Sequence, residues 1–155
     1  MTIELRSLDP TVIGGTGGSG TRALARILQT GGAYIGSNLN HALDQREIAG
    51  YHNNWINRWL CEPDSAEDQM RDELAGLLEG HLRGIESPRP WGWKCPTSIY
   101  LLRFFNRELP KFRFIHLVRD GRDMAFARNQ HQLRKHGEAL LSDPGPYKPR
   151  HSISL

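Results

Sequence analysis

A glycine-rich stretch near the start of the chain is the feature that most constrains its fold. The β-branched run Thr11–Ile13 leads into the glycine-rich segment Gly14–Gly20, and a helix-favouring segment follows from Thr21. Because glycine has no Cβ, such a backbone can approach an anion closely, and the start of a helix offers unpaired N–H groups and a positive dipole end. The sequence therefore predicts a strand, a phosphate-binding loop and a helix, with Ser19 and Arg22 as further donors.

This loop partly matches two nucleotide-binding patterns. Gly15, Gly17 and Gly20 satisfy G-x-G-x-x-G, but the acidic residue that dinucleotide binding requires about 20 residues later is absent from Tyr34–Asn38. The triphosphate loop has the same glycine spacing as Gly15 and Gly20, but it continues with Lys and Ser/Thr, where this chain has Thr21–Arg22. A kinase or NTPase of another P-loop class, and a glycine turn that binds nothing, remain as alternatives.

Length and hydropathy favour a water-soluble protein of one domain. A chain of 155 residues suffices for one core, so we expect a single domain over residues 1–155. Mean hydropathy is −0.54. No apolar run approaches the ~18 residues of a membrane span. Residues 1–6 lack a signal-peptide core, which predicts a cytoplasmic protein.

Charge and cysteine content narrow the choice of partners. The two isolated cysteines, Cys61 and Cys95, indicate free thiols rather than a disulfide or a metal site. A net charge of +3 disfavours nucleic acid as a partner, and we expect no membrane partner either. The sixteen arginines against four lysines suit bidentate contacts with phosphate or sulfate, although coding bias gives the same excess.

Alternating strands and helices predict a parallel α/β sheet whose site lies at the carboxyl ends of the strands. Residues 112–118 are apolar on both faces, which is typical of a central strand, and His116 is predicted to be a packed core histidine. The pattern predicts the following further elements: strands at 11–13, 33–35 and 91–95, helices from the glycine loop to 29, over 47–60, 66–83 and 96–109, a helix ending near 133, and a loop or tail from 142 onward.

Three cationic or glycine-rich segments should meet at that edge of the sheet. They are the glycine loop, Lys94 at the end of its strand, and Arg119 with Arg122 after the strongest strand. Taken singly, Lys94 is equally a solvated lysine at a strand end. An arginine beside an aspartate is more often half of a surface ion pair than a ligand-binding residue. Together they predict a ligand with phosphates at two places.

The motifs in these segments resemble the sulfotransferases, in particular the group with heparan sulfate, tyrosylprotein and many bacterial enzymes. The resemblance lies in Gly17–Leu24, Trp93–Pro96 and Phe114–Asp123, and it covers about residues 11 to 133. It implies a P-loop-NTPase-like three-layer sandwich with a central parallel sheet. It also implies 3′-phosphoadenosine-5′-phosphosulfate (PAPS) as donor, 3′,5′-adenosine bisphosphate (PAP) as product, and no metal.

The resemblance also implies roles for individual residues. Lys94 would lie against the transferring sulfuryl group, and Arg119 would hold the 3′-phosphate of the donor. The complete set of implied donor-binding residues is Gly17, Gly18, Ser19, Gly20, Thr21, Arg22, Arg119 and Arg122.

Three departures from the family pattern affect these expectations. Gly18 stands where family loops commonly carry Lys or Arg, so Arg22 or Lys94 would supply that charge. Ala127 replaces a serine, which removes one hydrogen bond to the 3′-phosphate, about 1 kcal/mol. The chain is also shorter than a full family domain, so we expect a truncated member. The alternative function is therefore a non-catalytic nucleotide-binding module.

The predicted reaction also requires a general base near the acceptor. Transfer to a hydroxyl or amine needs a carboxylate or imidazole within hydrogen-bond reach. The segment after the second predicted strand offers Asp44, His41 and Glu47, of which we favour Asp44 and then His41. The acceptor is expected to be a small molecule, a glycan or a peptide, and the exposed edges of a short sheet favour a homodimer.

Overall fold

A computed structural model describes residues 3–83, 85, 89–127 and 129–141. The predicted loop or tail from residue 142 onward lies outside these ranges. The described elements, in chain order, are a 3₁₀ turn (Leu5–Ser7), β1 (Thr11–Gly15), α1 (Thr21–Thr30), α2 (Arg46–Cys61), α3 (Pro63–Leu82), β2 (Gly92–Lys94), a 3₁₀ segment (Pro96–Leu101), α4 (Leu102–Glu108), β3 (Arg113–Leu117), α5 (Gly121–Ala125) and α6 (His131–Leu140).

The three strands form one parallel sheet in the order β2-β1-β3. In this register Ile13 lies opposite Lys94 on one side and Ile115 on the other, and Gly15 lies opposite Leu117. The carboxyl ends of all three strands therefore point to the same edge. This arrangement confirms the predicted α/β fold.

Helices cover both faces of the sheet. On one face, Val12 and Trp93 pack into a large core with α2, α3 and α4. On the other face, Ile13 packs against Ala25 of α1 together with Ile35 and Leu43. Because neighbouring residues of a strand point to opposite faces, Val12 lies in one core and Ile13 in the other. The result is the predicted three-layer arrangement of helix, sheet and helix.

Local sequence signals set the boundaries of the helices around the site. α1 begins directly after the glycine loop, and Gly31 ends it with an N–H donated to the carbonyl of Ile27 at 3.0 Å. α2 begins at Arg46 because the side chain of Gln45 accepts from the N–H of Ile48 at 2.7 Å. This capping bond satisfies one of the free N–H groups of the first turn.

Three predicted elements were wrong in detail. The single helix predicted over 96–109 is a 3₁₀ segment followed by the short helix α4. Residues 33–35 do not form a strand, because only Tyr34 bridges to Trp91 before the chain turns at Gly36, where φ is 115°. The single helix predicted to run to residue 133 is two short helices, α5 and α6. Gln130 explains part of the break, since its amide donates to the carbonyls of Met124 and Ala127 at 2.7 and 2.9 Å.

The position predicted for the strongest strand was also wrong. β1 occupies the centre of the three-stranded sheet, whereas β3 pairs only with β1 among the described residues. No residue of β3 is fully buried, so the apolar run predicted neither the burial of this strand nor its neighbours within the sheet. His116 is exposed on β3, so the prediction of a packed core histidine was wrong as well.

Candidate functional site

The glycine loop between β1 and α1 holds its backbone in conformations that favour glycine. Gly18 and Gly20 have φ of 86° and 95°, and Gly20 is the residue directly before α1. A side chain at either position would carry the strain of the left-handed region. The N–H of Ser19 donates to the carbonyl of Thr16 at 3.2 Å, which closes the turn.

The loop presents a set of free hydrogen-bond donors. Within the described ranges, the N–H groups of Gly18, Gly20, Thr21 and Arg22 donate to no protein acceptor. The Oγ atom of Ser19 is buried and makes no hydrogen bond with a described residue. A buried hydroxyl is rarely left unpaired, so that of Ser19, together with the free N–H groups at the start of α1, indicates an anion-binding site.

Arg119 follows β3 and reaches the glycine loop. Its Nη1 donates to the carbonyl of Gly18 at 3.3 Å, while its Nε donates to Asp123 at 3.5 Å. The side chain is 41% exposed, so its remaining N–H groups are accessible to a ligand. The structure therefore brings together the glycine loop and Arg119, as expected from the order of strands.

Arg122, which was predicted to bind the same ligand, makes its side-chain hydrogen bonds within the described residues to Asp120 and not to the glycine loop. Its guanidinium donates to both carboxylate oxygens of Asp120 at 3.1 and 2.7 Å. Asp120 also caps α5 by accepting from the N–H of Arg122 at 2.8 Å. These bonds lower the pKa of the Asp120 carboxyl and keep the arginine in a local surface pair.

Lys94 and Asp44, predicted as catalytic residues, form a buried ion pair. The Nζ atom of Lys94 lies 2.5 Å from Oδ1 of Asp44 and 3.0 Å from the carbonyl oxygen of Ala42. The lysine side chain is 3% exposed and the aspartate side chain 20%. Lys94 lies opposite Ile13, which is two residues before Gly15, so the backbone of Lys94 lies about 7 Å along the strand direction before Gly15.

The segment between residues 38 and 45 is folded so that Asp44 points at Lys94. Asn40 accepts from the N–H groups of Ala42 and Asp44 at 2.8 and 2.9 Å, and its amide donates to Oδ2 of Asp44 at 3.0 Å. Leu43 is buried with φ of 63°, a left-handed conformation that costs a non-glycine residue roughly 1 kcal/mol or more. Sequence reasoning missed Asn40, although Asn-initiated turns are the signal that would have identified it.

His41, the second candidate base, lies on the same segment but is exposed. No hydrogen bond or ion pair joins its side chain to another described residue. The third nearby candidate, Glu47, accepts from the amides of Asn38 and Gln45 at the start of α2. The geometry thus brings Asp44, and neither His41 nor Glu47, into contact with Lys94.

A second missed residue is Gln132 of α6. Its Oε1 accepts from the N–H of Gly17 at 3.1 Å, and its Nε2 donates to the carbonyl of Gly15 at 3.4 Å. We predicted a single helix ending near residue 133, and this prediction gave no reason to place Gln132 at the loop. No pattern in the sequence indicated that this glutamine would lie on the loop.

Cys95 follows Lys94 but is unsuited to nucleophilic chemistry. Burial raises the pKa of its thiol to about 12, so the sulfur stays protonated at neutral pH. The Sγ atom lies 3.3 Å from Oγ1 of Thr97, which also lies 2.8 Å from Nδ1 of His52. Burial lowers the pKa of His52 to about 3, so this imidazole is neutral. The group is part of the core beneath the site.

The described part of the chain has neither a metal-binding cluster nor a membrane-spanning helix. Residues 3–83, 85, 89–127 and 129–141 contain no cluster of three or more His, Cys, Asp or Glu side chains placed to hold a metal ion. Within the same ranges, no helix combines the length and the apolar character needed to cross a membrane.

A parallel α/β sheet with a glycine loop at its carboxyl edge defines a protein of the P-loop-like class. The family model described as "Sulfotransferase family" matches residues 10–148. The match covers most of the chain, and the chain therefore belongs to the sulfotransferase family. Membership makes it a transferase of the sulfuryl group. No curated protein matches the chain.

Proposed function

We propose that this protein transfers the sulfuryl group of PAPS to a hydroxyl or amine acceptor. The observation that carries the proposal is the buried Lys94–Asp44 pair at the sheet edge that also holds the glycine loop. Such a pair supplies a fixed cation and a carboxylate at one place. These are the two groups that transfer of an anionic group to a protic acceptor requires.

The residues of the loop fit the donor. The free N–H groups of Gly18, Gly20, Thr21 and Arg22 and the unpaired hydroxyl of Ser19 suit the oxygens of the 5′-phosphosulfate. The 3′-phosphate needs a cation of its own, and Arg119 is our candidate because it lies at the border of the loop and remains accessible. The donor supplies an electrophilic sulfur attached to a phosphate leaving group.

Lys94 has a donor left for the reaction. An ammonium group has three N–H donors, and the described contacts with Asp44 and Ala42 use two of them. The third is free to bind an oxygen of the sulfuryl group or of the departing phosphate. Its charge is held in a dry, fixed position, so it stabilises negative charge that develops as the sulfur–oxygen bond to phosphate breaks.

Asp44 is the proposed general base. As the acceptor oxygen or nitrogen bonds to sulfur, its proton passes to the carboxylate, which at 20% exposed is accessible from solvent. Asn40 and Lys94 hold the two carboxylate oxygens in position. His41 is the second candidate, since it is exposed on the same segment and unpaired among the described residues.

A transfer assay with radiolabelled donor tests this proposal. The chain is incubated with ³⁵S-labelled PAPS and a panel of phenols, sugars, amines and peptides, and labelled products are separated. We expect at least one acceptor to be labelled, and Asp44→Asn to abolish labelling while His41→Ala retains it. Tight PAP binding without turnover on any acceptor would instead indicate a non-catalytic binding module.

The same preparation separates the proposal from a P-loop kinase. Incubation with γ-³²P-labelled ATP and magnesium should give neither labelled acceptor nor free phosphate. Phosphate transfer from ATP in the absence of sulfuryl transfer would contradict the proposal.

A further inference from the structure

We propose that Gln132 is a positioning residue that fixes the shape of the glycine loop for donor binding. The assignment rests on the proposed donor site at that loop. It concerns the backbone of residues 15–17, which Gln132 contacts, rather than a direct contact with the donor.

The carboxamide of Gln132 forms a two-point contact with the loop backbone. It accepts from the N–H of Gly17 at 3.1 Å and donates to the carbonyl of Gly15 at 3.4 Å. One planar amide therefore satisfies a donor and an acceptor that lie two residues apart. A glycine-rich segment has more backbone freedom than any other, so a bond at each end restricts it strongly.

A second carboxamide covers the same part of the loop. A Cβ placed on Gly17 would lie 3.0 Å from Nδ2 of Asn129, closer than nearly all real Cβ contacts. The side chain of Asn129 therefore lies next to Gly17, the residue whose N–H donates to Gln132.

α6 is anchored so that Gln132 is held in place. The amide of Asn57 on α2 makes a similar two-point contact with α6, because Nδ2 donates to the carbonyl of Lys135 at 3.2 Å and Oδ1 lies 2.6 Å from Nδ1 of His136. The side chain of Lys135 also donates to Asn53. α6 thus connects α2, which packs in the main core, to the glycine loop.

We call the two hydrogen bonds between Gln132 and the backbone of Gly15 and Gly17 the clamp. The clamp leaves the proposed donor-binding groups free. It occupies the N–H of Gly17, whereas those of Gly18, Gly20, Thr21 and Arg22 donate to no described protein acceptor. Removal of the clamp is therefore expected to loosen the loop and weaken binding. If Gln132 instead competed with the donor, its removal would tighten binding. The two possibilities therefore predict opposite changes in donor affinity when Gln132 is replaced.

The test uses Gln132→Met, which keeps the length of the side chain and removes both hydrogen bonds. The matched control is Gln69→Met, the same change on an exposed position of α3. We expect calorimetric affinity for PAP to fall about tenfold in Gln132→Met and to stay unchanged in the control. In assays at saturating donor, kcat should change by less than about threefold while the KM for PAPS rises about tenfold. Unchanged or tighter PAP binding in Gln132→Met would overturn the inference.

Amide hydrogen exchange of the ligand-free protein provides a readout that does not depend on the donor. In Gln132→Met the N–H of Gly17 should exchange at least about tenfold faster, while core amides of β1 keep their rates. Failure of the wild-type protein to bind PAP would refute the proposed function, and the exchange rates would still test the clamp. Equal exchange at Gly17 in both proteins would overturn the clamp itself.

Discussion

The Nζ atom of Lys94 lies 2.5 Å from Oδ1 of Asp44, and both side chains are largely buried. Their separation in sequence is fifty residues, and the contact forms because β2 ends beside the turn that Asn40 organises. The ion pair places the ammonium group proposed to bind the transferring sulfuryl group next to the carboxylate proposed to take the proton of the acceptor.

Lys94→Met is expected to lower kcat about 10²- to 10³-fold while the affinity for PAP changes by less than about threefold. The reason is that the ammonium acts on charge that develops during transfer. Initial-rate kinetics combined with calorimetry measure the two effects separately. Equal losses in rate and affinity would show that Lys94 binds the ground state of the donor.

Measurement of protein stability provides the control for the Lys94→Met variant. Removal of one partner leaves the other charge poorly solvated, so Lys94→Met should lose roughly 3 kcal/mol of unfolding free energy. The double variant Lys94→Met/Asp44→Leu removes the unpaired charge and should recover most of that loss without recovering activity. Recovery of activity along with stability would mean that the pair serves only the fold.

Arg119→Ala should weaken PAP binding about tenfold or more with a small effect on kcat, because a charge-assisted contact to phosphate is worth about 1.5–3 kcal/mol. Arg122→Ala is the matched comparison, since that arginine lies three residues further on and is paired with Asp120. Its effect on PAP affinity should be clearly smaller. A larger effect at Arg122 would mean that its pair with Asp120 opens to bind the donor.

Ser19→Ala should separate binding from stability. The hydroxyl is buried without a partner among the described residues, so its removal should leave Tm unchanged or raise it slightly. PAP affinity should nevertheless fall about tenfold, because the hydroxyl is a donor for the anion. Thermal unfolding with and without PAP measures both. A loss of stability without a loss of affinity would contradict the assignment.

Acid should destabilise the fold through His52. Burial lowers the pKa of this histidine from an ordinary 6.5 to about 3. The unfolded chain therefore takes up a proton near pH 6.5 that the folded chain does not accept until about pH 3, and unfolding free energy falls as pH falls across that window. The slope is about 1.4 kcal/mol per pH unit from this group.

Burial also lowers the pKa of His81 and of His136, so their contributions have the same sign. Urea unfolding at pH 7 and pH 5 tests the effect. Stability that stays constant or rises between pH 7 and pH 5 would be the contrary result.

The sequence was sufficient to predict the glycine loop, its flanking strand and helix, and the position of Lys94. These features depend on local signals, namely a β-branched run, a glycine cluster and a strand that ends at a cation. Because parallel strands place their carboxyl ends at one edge, the approach of Arg119 to the loop followed from the order of elements.

The side-chain contacts within the site depend on backbone geometry, which the hydrophobic pattern of the sequence does not indicate. The pairing of Asp44 with Lys94 needs the turn at Asn40 and a left-handed Leu43. The difference between Arg119 and Arg122 arises because Asp120 captures the second arginine while it caps α5.

The position of β3 in the sheet and the break between α5 and α6 could not be predicted from the sequence for a similar reason. An apolar strand pattern is the same for a central and an edge strand, and side-chain amides such as that of Gln130 end a helix without a glycine or proline signal. Gln132 reaches the loop only because of that break.

Calorimetric titration with PAP, alongside ATP with magnesium, tests the central claim most directly. The proposed donor site predicts binding of PAP with a Kd of roughly micromolar and no measurable binding of ATP. Preference for ATP with magnesium, or binding of neither nucleotide, would contradict a PAPS-dependent sulfotransferase.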